Sequence, residues 1–579
     1  MFRVMSLVQH LSSVEGTDHD PEADFQYNGP VIARKISYDV LQPPSQPVPV
    51  EEQPPATPAY KVSASRRLVQ VIFTIFTCWV ASGILFGYAA LKPILVEERI
   101  YHNLCTDTEL EKGVKLCIKQ DLRLNLCFTI ASITANVSAL PVGTILDRYG
   151  SRVCGLLGSV FLALGSLFMS ATFHWPKFHA LIAGHFFLSF GGTFIFLPSF
   201  QIANAFPKHV GTIVSLVTGA FDASAAVFLF YRLAYDASDR AFTPDKFFFG
   251  YLAVPIAIAV ANLSFMPKFD YYSTLRLEKQ IEQTADATND VHDSDHEIES
   301  DRQRQLVRDK RAEHRRELYN DISQVLGDED ERQQRAEQEG DRQQVSQIWG
   351  VLHGMSAHKQ MATPWFILIT LLTVIQMLRM NYFIATIHAQ YKYMLGSAEN
   401  AERINDFFDV ALPVGGILFT PIIGALLDRL SVPAMLAVIV TFITVIGVLN
   451  SIPAMWAGYM TVVLFVLLRP LYYSAMSHAK QTFSDYATKV FGFATFGRVY
   501  GTIICLAGLV NFSQYWLDSL THSHFGGNPL PINVGLTIAG SVVGVILVGF
   551  VSSAGRRLRA ENGNQHERQP LLLEVDEEQ

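Results

Sequence analysis

Apolar residues in this chain do not alternate with polar ones at the spacing of a half-buried helix or strand. They fall in uninterrupted runs of roughly 20, the length of helix that crosses a bilayer core. Backbone groups facing lipid must bond within their own segment, so each run is predicted as a helix and not a buried strand. Spans are expected near 68–90, 124–146, 153–173, 178–203, 210–231 and 247–266, then near 364–388, 405–427, 433–451, 455–476, 489–511 and 532–553. The predicted fold class is an all-α membrane protein with twelve transmembrane helices in two six-helix bundles, 66–267 and 362–555.

Polar segments separate and flank the bundles. Residues 1–65 carry acids and a proline cluster around Pro43, Pro44, Pro47 and Pro49, and cannot bury enough apolar area to offset ordering, so a disordered tail is expected. Met1 to Leu11 lacks the long apolar core of a secretory signal, and the acids from Glu15 onward argue against a transit peptide. Residues 268–361 mix Glu, Asp, Arg and Lys and read as a charged linker, with Arg302 to Leu318 forming an exposed helix. Residues 556–579 form a second polar tail, also expected to be disordered. Within it Glu567 precedes Leu571 and Leu572 in an acidic dileucine pattern that sorting adaptors of endosomes and vacuoles recognise.

Charge fixes an orientation. Arg66, Arg67, Arg148, Arg152, Lys208, Arg429, Lys489, Arg556, Arg557 and Arg559 all flank one face under this count. Positive residues concentrate in cytosolic loops, which places both termini and the linker in the cytosol. The net charge of −8 lies in tails and loops, and no basic stripe suits nucleic acid. No phosphate-binding glycine loop, zinc-protease helix or nucleophile elbow is present, so no enzyme activity and no cofactor are expected. His522 and His524 share a loop without the further ligands a metal site needs. Cys78, Cys127, Cys154 and Cys505 read as small packing residues of apolar helices. Cys105 and Cys117 lie in the polar loop after the first span; they pair if that loop faces an oxidising compartment and are otherwise two free thiols.

A punctuated turn occurs twice. Pro141 to Arg152 contains Gly143, Asp147, Arg148, Gly150 and Arg152; Pro421 to Arg429 repeats it with Gly424, Asp428 and Arg429. Such repetition in two apolar halves marks a duplicated transporter. Glycine lets two helices touch, and the aspartate can accept bonds from a neighbouring helix end or arginine, so these turns are expected to gate the cytosolic mouth. The second copy lacks counterparts of Gly150 and Arg152, so the two gates need not be equal.

Ionisable residues within a span cost about 2.5–3.5 kcal/mol each and call for an explanation. Asp222, Arg379, Arg469 and Arg498 fall at middle depth. Either Asp222 pairs with one arginine while the others reach carbonyls or the interface, or the missing anion arrives with the substrate. In the second case a zwitterion meets guanidinium and carboxylate together. Asn136, Gln201, Asn204, Ser224 and Asn381 are candidate polar contacts to the same cavity, and Gly83 and Gly87 allow close approach of backbone or substrate.

The glycine–aspartate–arginine turn resembles the loop signature of the major facilitator superfamily. Gln201 to Phe206, Gly219 to Phe228, Ser82 to Gly87 and Leu467 to Arg469 resemble its sodium-independent system L branch, facilitators of large neutral amino acids. That resemblance implies uniport of leucine-like and phenylalanine-like amino acids by alternating access. The linker and proline-rich start look fungal, which implies a vacuolar or endosomal membrane ahead of the plasma membrane. The competing readings are an organic-anion carrier, a proton-coupled symporter working through Asp222, and a receptor or scaffold that carries nothing.

Overall fold

The computed structural model describes residues 56–107, 116–174, 180–285, 290, 295, 300–335, 337, 352, 355–427, 430–476, 490 and 496–576. These are helical throughout apart from turns and one isolated bridge between Thr57 and Tyr271. The first span is discontinuous. Helix α1 (Ala64–Thr77) widens over Cys78–Ser82, breaks at Gly83, tightens over Ile84–Gly87 and resumes as α2 (Tyr88–Glu97). The two parts meet at 46°.

The N-terminal half continues with α3 (Ile118–Val137), α4 (Ala139–His174), α5 (Ala180–Ser199), α6 (Val210–Ala223), α7 (Ala226–Ala237), α8 (Pro244–Tyr251) and α9 (Ala253–Ser264). Helix α4 is interrupted at Gly150, whose φ of 80° and ψ of 174° belong to a region that only glycine enters cheaply. This residue makes the sharp turn between the second and third spans. Small residues then let α4 and α5 touch: a Cβ on Gly165 would sit 2.6 Å from the Leu188 nitrogen, and one on Gly191 2.7 Å from that of Leu162. Close backbone approach replaces the hydrophobic effect as the packing force in lipid.

The charged segment is more than a solvated linker. Helices α10 (Thr274–Ala285) and α11 (Asp301–Leu326) bury Leu277 and Ile281 against Ile322 and Leu326, with Tyr60 and Tyr272 packed on that small core. The expected exposed helix is therefore the first part of α11, while Ile322 and Leu326 of its last turns are buried. The Thr57–Tyr271 bridge straps residues 56–61, which the sequence places in a disordered tail, to the same surface. Lys208 and Glu331, 2.9 Å apart, tie it to the loop before α6.

The C-terminal half follows a short helix α12 (Ala357–Met361) and contains α13 (Pro364–Leu395), α14 (Ala398–Leu427), α15 (Val432–Leu449), α16 (Met455–Met476), α17 (Phe496–Val510), α18 (Ser513–Ser523) and α19 (Leu530–Asp576). Helix α19 stays helical through residues 556–576, where a disordered tail was expected. Among the described residues eight helical stretches are long and apolar enough to cross a bilayer, and the bent first pair makes a ninth. Met455–Arg469 is a shorter apolar helix, and α14 and α17 stand where two further spans were expected. The halves meet mainly through α6 on α14 and α3 on α17. On the face opposite the start of α1, Cys105 and Cys117 form a disulfide in the loop after α2.

Candidate functional site

The break in the first span lies at the junction of the halves. A Cβ on Gly83 would stand 2.6 Å from both the Phe221 carbonyl and the Ser224 hydroxyl, and one on Gly87 would stand 2.3 Å from the Ala225 carbonyl. The two glycines thus seat the unwound segment against the end of α6. Ser224 Oγ donates to the Phe221 carbonyl at 2.6 Å, securing the polar turn that joins α6 to α7. Phe86, buried in the tightened turn, meets Phe221 edge-on at 5.6 Å, and Phe221 stacks on Phe196 at 4.1 Å.

Arg469 of α16 reaches this point from the other half. Its Cζ lies 4.0 Å above the Phe86 ring, and its Nε lies 3.5 Å from Asp222 Oδ1. Both partners are enclosed, Arg469 at 1% exposure and Asp222 at 2%. Gly416 of α14 makes room for them, since a Cβ there would fall 2.3 Å from that of Asp222. Five residues singled out from sequence, Gly83, Gly87, Asp222, Ser224 and Arg469, therefore converge, joined by Phe86, Phe221 and Gly416. An aromatic wall, an opposed pair of charges and unwound backbone thus stand together, both signs beside an apolar surface.

Other candidates lie elsewhere. Arg379 points into the C-terminal half, where its Nη1 donates to the Ile443 carbonyl at 2.7 Å and it borders a cavity of about 10 Å³ with Gln376 and Asn450. Of the two arrangements open for the mid-span arginines, the first holds for both whose side chains are described: Asp222 lies beside Arg469, and Arg379 reaches a carbonyl. The Arg498 side chain lies outside the described residues. Asn136 is at the junction with Gly508 of α17 but donates within its own helix, to the Ser132 carbonyl at 2.9 Å. Asn381 is buried in α13. Gln201 and Asn204 stand in the turn after α5 at the face where α1 begins; Gln201, its amide turned as its neighbours require, donates to Asp270. Burial raises the Asp270 carboxyl above the usual range, and it borders a cavity of about 50 Å³ within the N-terminal half.

Of the repeated turn, Gly143 and Gly150 lie in α4, and Arg152 donates to the Met266 carbonyl at 2.7 Å, joining the third span to the end of the sixth. Arg148 lies 5.6 Å from the Tyr149 ring centre. Gly424 is part of α14. The Asp147 side chain, Asp428 and Arg429 lie outside the described residues, as do the side chains of Glu567, Leu571 and Leu572.

Sequence reasoning missed the polar junction at the far face. Arg232 of α7 pairs with Asp406 at 2.8 Å and Asp409 at 3.2 Å of α14. Asn125 of α3 donates to Asp518 of α18 at 2.7 Å, next to Lys92, Asp121 and His522. Charges at span ends read as loop residues; their pairing across hundreds of residues leaves no local trace.

The Major Facilitator Superfamily pattern matches residues 114–505. The chain is 38% identical to Protein FMP42 of Saccharomyces cerevisiae over 84% of its own length and 95% of that protein's. It is 25% identical to Equilibrative nucleobase transporter 1 of Bos taurus over 82% and 93% of the two chains. Identity to Large neutral amino acids transporter small subunit 3 of Homo sapiens is 32%, over 27% of this chain and 30% of that one. The match over most of the chain and the duplicated helical halves make it a member of the Major Facilitator Superfamily, a multi-pass membrane transporter and not an enzyme.

Proposed function

We propose that this protein carries large neutral amino acids by sodium-independent facilitated diffusion, through twelve spans with both termini in the cytosol. The observation that carries the reading is the Asp222–Arg469 pair, one charge from each half, beside the break in the first span. A zwitterion can exchange with such a pair without changing its charge: the substrate carboxylate takes the guanidinium and its ammonium takes the aspartate. Phe86 and Phe221 offer an apolar wall to the substrate side chain. Binding then replaces a contact that holds the halves together, which ties occupancy to their rocking.

The partial match to a large-neutral-amino-acid transporter supports the substrate class. The disulfide on the far face supports the orientation, since such bonds persist outside the reducing cytosol. The dileucine pattern favours a vacuolar or endosomal membrane.

A second reading is favoured by the match spanning nearly all of a relative named for nucleobases. A neutral planar base could stack on Phe86 and meet Asp222 and Arg469 at its edge. Purified protein in liposomes separates the two. Uptake of labelled leucine that equilibrates without accumulating under a sodium or proton gradient, and is lost in Asp222→Asn, supports the first. Uptake of labelled adenine with none of leucine replaces it with the second.

A further inference from the structure

Long charged side chains at span ends usually reach the interface alone. Here two clusters of them join the halves. In the first, Arg232 Nη1 lies 2.8 Å from Asp406 and 3.2 Å from Asp409, and Asp409 also accepts from Asn405 at 3.0 Å. In the second, Lys92 Nζ lies 2.6 Å from Asp121 and 3.3 Å from the Ala385 carbonyl of the opposite half. His522 completes this cluster from α18, with Nδ1 3.4 Å from Asp518 and Nε2 3.7 Å from Asp121.

Direction along the chain puts all of these at one end of the molecule. Helices α2 and α7 finish there, α3 and α14 begin there, and α18 follows the eleventh expected span there. Rocking that opens this end must pull both clusters apart. The second cluster balances two cations, Lys92 and protonated His522, against Asp121 and Asp518, which are 4% and 2% exposed. Loss of the imidazole proton leaves one of these buried carboxylates without a counter-charge, a costly arrangement in a poorly hydrated junction.

Resting on the reading as an alternating-access carrier, we propose that the two clusters are the gate that holds the far mouth shut, with His522 as its pH-sensitive element. The hydrogen bond that the imidazolium donates to Asp518, with further contributions from the fields of Asp518 and Asp121, pushes the imidazole up from 6.5 to about 9 against the opposing effect of burial. A group whose pKa is raised in the closed state stabilises that state fully below its free value and ceases to do so as pH passes its raised value. Closure is therefore complete below about pH 6.5 and is lost as pH rises through about 9. The other groups facing α18 come from α13, which packs on it through Tyr382 and Thr521 at 2.8 Å; its His388 lies in the field of Lys92 and Asp121.

The test needs no substrate, so a wrong substrate assignment leaves its outcome standing. Spin labels at K246C and A398C, on opposite halves of the far face, are placed in full-length protein carrying C505S in lipid nanodiscs. Double electron–electron resonance then reads their separation at about pH 5.5 and about pH 9.5. The expected wild-type result is a short separation at the lower pH and an added longer population at the higher. H522Q shows the longer population at both values, R232Q does the same, and H522R restores the short one at both. A wild-type distribution unmoved by pH, a pH response surviving in H522Q, or an unchanged distribution in R232Q overturns the proposal.

Discussion

The junction between the halves and the interior of the C-terminal half each bury an arginine, and they satisfy it in different ways. Arg469 faces a carboxylate that belongs to the other half, at a break in a helix. Arg379 faces a backbone carbonyl of its own half, one that moves with it in any rigid-body rocking. The cost of burying a guanidinium is similar in both places; what differs is whether the compensating group stays put when the protein changes state. A contact across the junction can report occupancy and conformation, whereas one inside a bundle can only hold that bundle together.

The largest effect follows from breaking the junction pair. Asp222→Asn or Arg469→Gln leaves one buried charge uncompensated, worth about 3–5 kcal/mol. Uptake into liposomes should fall at least a hundredfold in either, while the protein still inserts and migrates as a monodisperse species. Arg469→Lys should not recover it, because an ammonium lacks the planar fork and the ring contact with Phe86. Full uptake by Arg469→Gln would erase the distinction between the two arginines.

A smaller effect is expected from crowding the same junction without touching its charges. Gly416→Ala places a methyl 2.3 Å from Asp222 Cβ. Overpacking of this kind costs about 1–3 kcal/mol, here taken up by moving α14 from α6 or Asp222 from Arg469. The expected outcome is a roughly tenfold loss of uptake with a rise in KM. Gly87→Ala, 2.3 Å from a carbonyl on the same half, should lower the melting temperature more than it alters KM.

The architecture was legible because lipid imposes one length and one internal bonding rule on every span, and because Gly143 to Arg148 recurs as Gly424 to Arg429. Asp222 and Arg469 were legible as well, since charge at mid-span is expensive wherever it points. Direction was not. Depth along the chain places Arg379 level with the site, but the face of α13 from which it projects depends on how that helix packs on α14, α17 and α19, and that information lies in no local pattern. The core of the charged segment did leave a signal: Leu277 and Ile281, and again Ile322 and Leu326, are spaced four apart as on one helix face. Dense charge around them obscured it. The far-face clusters left none, because Asp121 and His522 come from distant parts of the chain.

The smallest effect on transport is expected at Arg379, and it is the sharpest control on the comparison. Methionine there keeps much of the volume and the apolar stem while removing the guanidinium and its bond to the Ile443 carbonyl. A hydrogen bond from a charged group contributes about 1.5–3 kcal/mol, but removing the charge also removes its desolvation cost, so the net change in stability is smaller. Ile443 sits within α15, so its carbonyl keeps an acceptor role in that helix. Arg379→Met should therefore shift the melting temperature by a few degrees and leave KM and the substrate profile as they are. A selective rise in KM in Arg379→Met, with thermal stability unchanged, would move Arg379 from the scaffold of one half to the solute's own contacts, and the site would then have to extend from the junction into the C-terminal half.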